Sequence, residues 1–266
     1  MADRSPSTLV WSEVAGDAAA APVVLVHGSM DRSAGLLRLS RRLDADFQVV
    51  RFDRRGYGRS TGVGPPWTAS ANVEDLAGLV ERTVPGRRAA IVGHSYGGNI
   101  ALALAGTRPD LVSGVVVYET PLSWFDGWPN STAGAAAMGV SDPGDAAEAF
   151  MRRLVGDEVW DRLPPAKQRD RRLEGQAMVA ELADLRRQPP WRADDIDVPV
   201  LALYGERGRP HHRAAMQHLV EMLPDCRADM VRGAGHAGPH THADVVAAPI
   251  AQFLTTDRAR VDPSAD

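Results

Sequence analysis

Ala89-Ala90-Ile91-Val92-Gly93-His94-Ser95-Tyr96-Gly97-Gly98-Asn99-Ile100 is the stretch that decides how the chain is read. Its first four residues have the length and composition of a buried strand. Asn99 to Ala105 reads as a helix rich in small residues. Between them Gly93-His94-Ser95-Tyr96-Gly97 has the spacing G-x-S-x-G. A serine at the tip of such a strand–turn–helix unit is pushed above the sheet, and the flanking glycines let two backbones pass without a Cβ clash. The first turn of the helix directs free N–H groups toward whatever reacts with the serine. With 25 glycines in 266 residues the bare pattern is weak. Its flanks carry it, and they make Ser95 the candidate nucleophile.

Outward from this unit the same rhythm recurs. A first strand is expected over Leu9–Val14. Pro22 opens the apolar run Val23–Val26, too continuous for a strand with one wet face and so expected to be buried on both. His27-Gly28-Ser29-Met30 follows, with a helix expected over Ser33–Leu43 and a strand over Phe47–Phe52. Asp53-Arg54-Arg55-Gly56 begins a loop, and a helix capped by Asn72 should run to Thr83. Val112–Tyr118 is a β-branched strand that ends in Glu119. From 122 to 196 strand signals vanish. Helical stretches (Asp145–Val155, Arg169–Arg187) and the aromatics Trp124, Phe125, Trp128, Trp160 and Trp191 take their place. Strand signals resume at Val198–Tyr204 and Arg227–Val231, with helices over His212–Leu223 and Ala243–Leu254 and a disordered tail from Asp257. Alternating strands and helices imply an α/β fold: a mostly parallel, twisted sheet with helices on both faces. The domains expected are a core of 1–121 and 197–266 and a helical cap or lid insertion of 122–196. Ligands of such sheets bind at the carboxyl ends of the strands, where Ser95, Ser29, Glu119, Glu206 and His236 all fall.

Composition narrows the function. The chain is 44% hydrophobic and 24% charged, with a net charge of −4, which gives no electrostatic case for nucleic acid or an anionic membrane. Cys226 is the lone cysteine and cannot form an internal disulfide; a core position is expected for it. Met1–Thr8 is polar and lacks the features of a signal peptide, and no apolar run reaches membrane-span length. A cytoplasmic protein of unknown oligomeric state, acting on a small molecule, is the expectation.

Four segments together, V-V-L-V-H-G-S-M, F-D-R-R-G-Y-G-R-S, I-V-G-H-S-Y-G-G and G-A-G-H, resemble the α/β-hydrolase family and occur in that family's order. The resemblance implies that Ser95 is the nucleophile and His236 the general base and acid. It also implies that the backbone N–H groups of Ser29 and Tyr96 form an oxyanion hole. The acid departs from the family pattern: where many relatives have G-x-x-D, this chain has Gly205-Glu206-Arg207-Gly208. Glu119, in the place used by some haloalkane dehalogenases, is the favoured acid and Glu206 the alternative; Asp194, Asp195 and Asp197 precede the strand and should lie at the wrong end of the sheet. Met30, Trp124 and Phe125 are expected to line the substrate pocket. His94 and His27 read as packing residues, and Asp53–Gly56 as a structural loop. His211-His212 and His240-Thr241-His242 lack a clear acidic partner set, so no metal and no cofactor are expected. These features imply a serine hydrolase acting on a small-to-medium acyl ester, lactone or thioester. The alternatives are a C–C bond hydrolase or perhydrolase on the same triad, or a non-catalytic ligand receptor keeping the fold.

Overall fold

The computed structural model describes residues 9–125 and 127–261. Met1–Thr8 lies outside the described residues. Strands β1 (Ser12–Ala15), β2 (Ala21–Val26) and β3 (Phe47–Phe52) are joined by α1 (Leu37–Leu43) and by turns. Helix α2 (Ala69–Thr83) leads to β4 (Ala89–His94), α3 (Tyr96–Thr107) and β5 (Val112–Tyr118). Five helices follow: α4 (Ala133–Met138), α5 (Pro143–Val155), α6 (Asp157–Asp161), α7 (Pro165–Leu173) and α8 (Gly175–Arg187). The chain closes with β6 (Val200–Gly205), α9 (Pro210–Met222), β7 (Cys226–Val231), α10 (Gly238–Thr241) and α11 (Ala243–Val261).

The seven strands form one sheet in the order β1-β3-β2-β4-β5-β6-β7, parallel except for β1, which pairs antiparallel with β3. The inner strands are buried almost throughout and rich in apolar residues because each of their faces meets a helical layer. Val24, Ile91, Val115, Val117 and Ala202 pack on one side with α2, α3 and α9. Val23, Leu25, Val92, Val116 and Leu201 pack on the other with α1 and α11. This period-2 division is the pleat of the strand read out as two cores.

Several boundaries differ from expectation. The cap of α2 is Thr68, whose side chain accepts from Ala71 N; Asn72 sits inside the helix and donates from Nδ2 to Thr68 O at 2.9 Å. The first strand begins at Ser12, leaving Leu9 exposed. The helix expected over Ser33–Leu43 is regular only from Leu37, and the stretch 169–187 divides into α7 and α8. Helix α11 continues to Val261 in place of a tail from Asp257, and 262–266 lie outside the described residues. Cys226 is half-buried on the edge strand β7 rather than in the core. Among the described residues no helix is long and apolar enough to cross a membrane.

Between β5 and β6 the described residues contain no strand. Helices α4, α5, α6 and α8 bury their own cluster, including Phe150, Met151, Trp160, Met178 and Leu182, and that cluster also takes in Met30 and Tyr57 from the core loops. Helix α8 is fastened through a buried ion pair, Arg54 Nη1 to Glu181 Oε2 at 2.7 Å, with Tyr57 Oη donating to Glu181 Oε1 at 2.6 Å. Arg54 spends its remaining donors on His27 O (3.0 Å), Gly28 O (3.1 Å) and Asn72 Oδ1 (3.2 Å). Removing one partner of such a pair leaves an uncompensated buried charge, at a cost of about 3–5 kcal/mol.

Candidate active site

Ser95 stands between β4 and α3 with φ 53° and ψ −125°. The turn is so tight that a Cβ on Gly97 would collide with Val26 O. Ser95 N donates to Tyr118 O at 2.9 Å, tying the turn to the end of β5. Met30 (φ 58°) and Glu119 (φ 46°) are the other non-glycine residues with positive φ among the described residues. All three follow strand ends on one rim of the sheet. Such backbones cost of order 1–3 kcal/mol each and persist where surrounding packing fixes them.

Glu119 is fully buried. Its Oε1 accepts from Gly205 N at 2.9 Å, and its Oε2 lies 2.8 Å from His236 Nδ1. A carboxylate accepts, so Nδ1 carries the proton and Nε2 keeps its lone pair. Glu206 points elsewhere: its Oε2 accepts from Gly233 N at 2.8 Å on the exposed side of the loop. The structure therefore brings Glu119, and not Glu206, to the imidazole. It also accounts for the glycine in the G-x-x-D place, because a Cβ on Gly208 would run into Glu119 Oε1.

The loop carrying His236 is held by Tyr118 Oη donating to Gly235 O (2.8 Å), Arg207 N donating to Ala234 O (2.8 Å), and His94 Nε2 2.9 Å from His236 O. His94 is buried, and burial followed by the neighbouring His236 and His240 holds its pKa well below the usual value, so it packs as a neutral ring. His27 is likewise lowered to about 4 by burial and then by Arg54. Its Nε2 accepts from Arg54 N at 2.9 Å, and its Nδ1 donates to Gly28 O at 2.8 Å, fixing the turn before Ser29. His212 stacks on His236 with ring centroids 4.5 Å apart and planes at 14°. Burial and the adjacent His236 keep it uncharged.

Ser95, His236, Ser29 and Tyr96 line one pocket of about 140 Å³. Among the described residues no hydrogen bond joins Ser95 to His236; such contacts commonly tighten only when substrate binds. Tyr96 opens α3, so its N–H has no intrahelical partner. None of Met30, Trp124 and Phe125 is among the residues that line this pocket. Met30 is buried in the α5–α8 cluster, Trp124 packs edge-on against Trp191, and Phe125 is 46% exposed beside His218. Trp128 and Phe150 line the pocket instead. Trp124, Phe125 and Trp128 lie between β5 and α4, outside any helical period that could rank them.

Two trios bring one ligating atom each within 4.8 Å: Asp31, His94 and His240, and Glu119, His212 and His236. A tetrahedral zinc with bonds near 2.0 Å would hold nitrogen and oxygen ligands about 3.3 Å apart. The 2.8 Å separation of Glu119 and His236 is that of a shared proton.

The profile described as the alpha/beta hydrolase family matches residues 23–248. Lipase LipV of Mycobacterium tuberculosis is 33% identical over 150 residues, which span 56% of this chain and 55% of that one. The 2-(acetamidomethylene)succinate hydrolase of Mesorhizobium japonicum is 27% identical over 87% of each chain. The fold of a malate-bound esterase from Thermogutta terrifontis superposes with a TM-score of 0.74 at 23% identity, over 93% of each chain.

Proposed function

The chain belongs to the alpha/beta hydrolase family, and from that premise we propose that it is a serine hydrolase. Its substrate is a small-to-medium acyl ester, lactone or thioester, cleaved through an acyl-Ser95 intermediate. The observation that carries this reading is the 2.8 Å contact of Glu119 Oε2 with His236 Nδ1 at the edge of the pocket Ser95 lines. Glu119 fixes the tautomer and offsets the charge His236 gains when Nε2 takes the Ser95 proton. The alkoxide attacks the acyl carbon, and the N–H groups of Ser29 and Tyr96 meet the oxyanion as it forms. His236 then protonates the leaving oxygen or sulfur. Water, deprotonated in turn by His236, releases the acid and restores Ser95, so one water is consumed per bond cleaved. Residues 122–196 act as the cap, a role supported by Trp128, Phe150 and Leu182, which form one wall of the pocket. Its volume of about 140 Å³ suits a short acyl group.

A fluorophosphonate probe tests the proposal. Labelling of the wild type and none of a folded Ser95→Ala variant is the expected result. An unlabelled, folded wild type that binds but does not turn over short aryl esters would make the protein a ligand receptor instead.

A further inference from the structure

Three arginines line the pocket that Ser95 and His236 share: Arg153 from α5, Arg186 from α8 and Arg209 at the N-terminal edge of α9. Among the described residues no aspartate or glutamate lines it. Arg153 donates from Nε and Nη2 to Ser131 O at 3.2 and 3.0 Å, and Arg186 from Nη1 to Leu182 O at 3.2 Å. These partners are neutral carbonyls, and none of the three arginines is ion-paired among the described residues. Their sequence neighbours behave differently. Arg152 pairs with Glu148 at 2.9 Å and Asp161 at 2.8 Å, and Arg187 with Asp184 at 2.6 Å. Among the described residues Arg152 and Arg187 thus carry counter-charges that their pocket-lining neighbours Arg153 and Arg186 lack. Arg153 and Arg209 are exposed and Arg186 is half-buried, so these like charges repel across a medium that water partly screens. Burial already pulls the Arg186 guanidinium below its usual pKa, although it stays charged. A bound anion relieves that repulsion, and the planar fork of a guanidinium matches a carboxylate.

We propose that the substrate carries a free carboxylate, held by Arg153, Arg186 and Arg209 while its ester group reaches Ser95. The proposal rests on the serine-hydrolase reading above. The matching substrate class is the half-ester of a dicarboxylic acid, with its short chain against Trp128 and Phe150. Hydrolysis consumes one water and gives the dicarboxylic acid and the alcohol.

The test compares kcat/KM for mono-4-nitrophenyl glutarate with that for its neutral counterpart, 4-nitrophenyl methyl glutarate. The expected anionic-to-neutral ratio is about ten or more in low salt, shrinking as salt is added. Arg153→Gln and Arg186→Gln should each lower that ratio about tenfold, the scale of one lost charge-assisted contact. Because the ratio is internal to each variant, a loss of folded protein does not move it. A wild-type ratio of one or less, or a ratio that the variants leave unchanged, overturns the proposal. If neither ester is turned over, the hydrolase reading fails separately. Calorimetric binding of glutarate, weakened in Arg186→Gln, would then still support the anion site, and absence of binding would overturn it.

Discussion

Two carboxylate–imidazole pairs flank His94, whose ring lies 4.9 Å from that of His236 and 5.2 Å from that of His240. In one, Glu119 Oε2 meets His236 Nδ1 at 2.8 Å; in the other, Asp31 Oδ2 lies 3.0 Å from His240 Nε2. The first opens on the pocket beside Ser95, whereas neither Asp31 nor His240 lines it. Burial opposes charge on both members of the second pair. Their mutual attraction outweighs it, holding Asp31 well below the usual carboxyl range and raising His240 above its ordinary value. The second pair is therefore a strut between the Met30 turn and α10. An acid beside an imidazole does not by itself mark a place for chemistry; what the imidazole's other nitrogen can reach does.

The largest effect should separate the pairs directly. Glu119→Gln is expected to lower kcat on a short aryl ester by about 10³–10⁴, and Asp31→Asn by less than about tenfold; equal losses would erase the distinction. Next, Glu119→Ala should be partly rescued by Gly208→Asp, regaining at least about tenfold in kcat, because the second change supplies a carboxylate from the adjacent loop. Gly208→Asp alone should destabilise the fold by about 1–3 kcal/mol in denaturant melts, as its Cβ meets Glu119 Oε1.

A smaller effect belongs to the strut. Asp31, depressed in the fold, contributes stability above its unfolded pKa near 3.8 and loses it as pH falls toward its folded value. His240, raised in the fold, contributes below its unfolded value of 6.5 and loses that as pH climbs through its higher folded value. Asp31→Asn should therefore cost about 1 kcal/mol near pH 5.5 and clearly less at pH 9, read by chemical denaturation at both. A cost independent of pH would deny the ion pair. The smallest change is Tyr118→Phe. It removes the hydroxyl that holds Gly235 O and should cost about 1 kcal/mol of stability and a few-fold in kcat/KM.

The strands were legible because burial on both faces writes itself as apolar runs; Val23–Val26 and Ala89–Val92 fall inside β2 and β4, where their composition places them. Helix ends were less so. Thr68 displaced Asn72 as cap because both are competent caps and only tertiary contacts, such as Asp184 Oδ2 accepting from Ala69 N at 2.8 Å, choose between them. Glu119 and Glu206 both follow strand ends, and no local pattern tells which carboxylate turns inward. The arginines of the pocket were invisible for a similar reason. Arg152 and Arg153 are adjacent on α5; the carboxylates that Arg152 meets lie within ten residues of it, whereas the cavity that Arg153 lines is completed by Ser95 and His236, far away in the chain. Asp31 and His240 meet across the whole length of the core, beyond the reach of any spacing rule.

The collision between position 208 and the buried carboxylate has an evolutionary reading. Two seats exist for one negative charge, and they overlap in space. A lineage that gains the loop acid before discarding the strand acid drives carbon into oxygen. One that discards first leaves the histidine without its anchor. Neither single step is benign, so the two arrangements should descend as separate branches that seldom interconvert, each locked in by the residue it lacks.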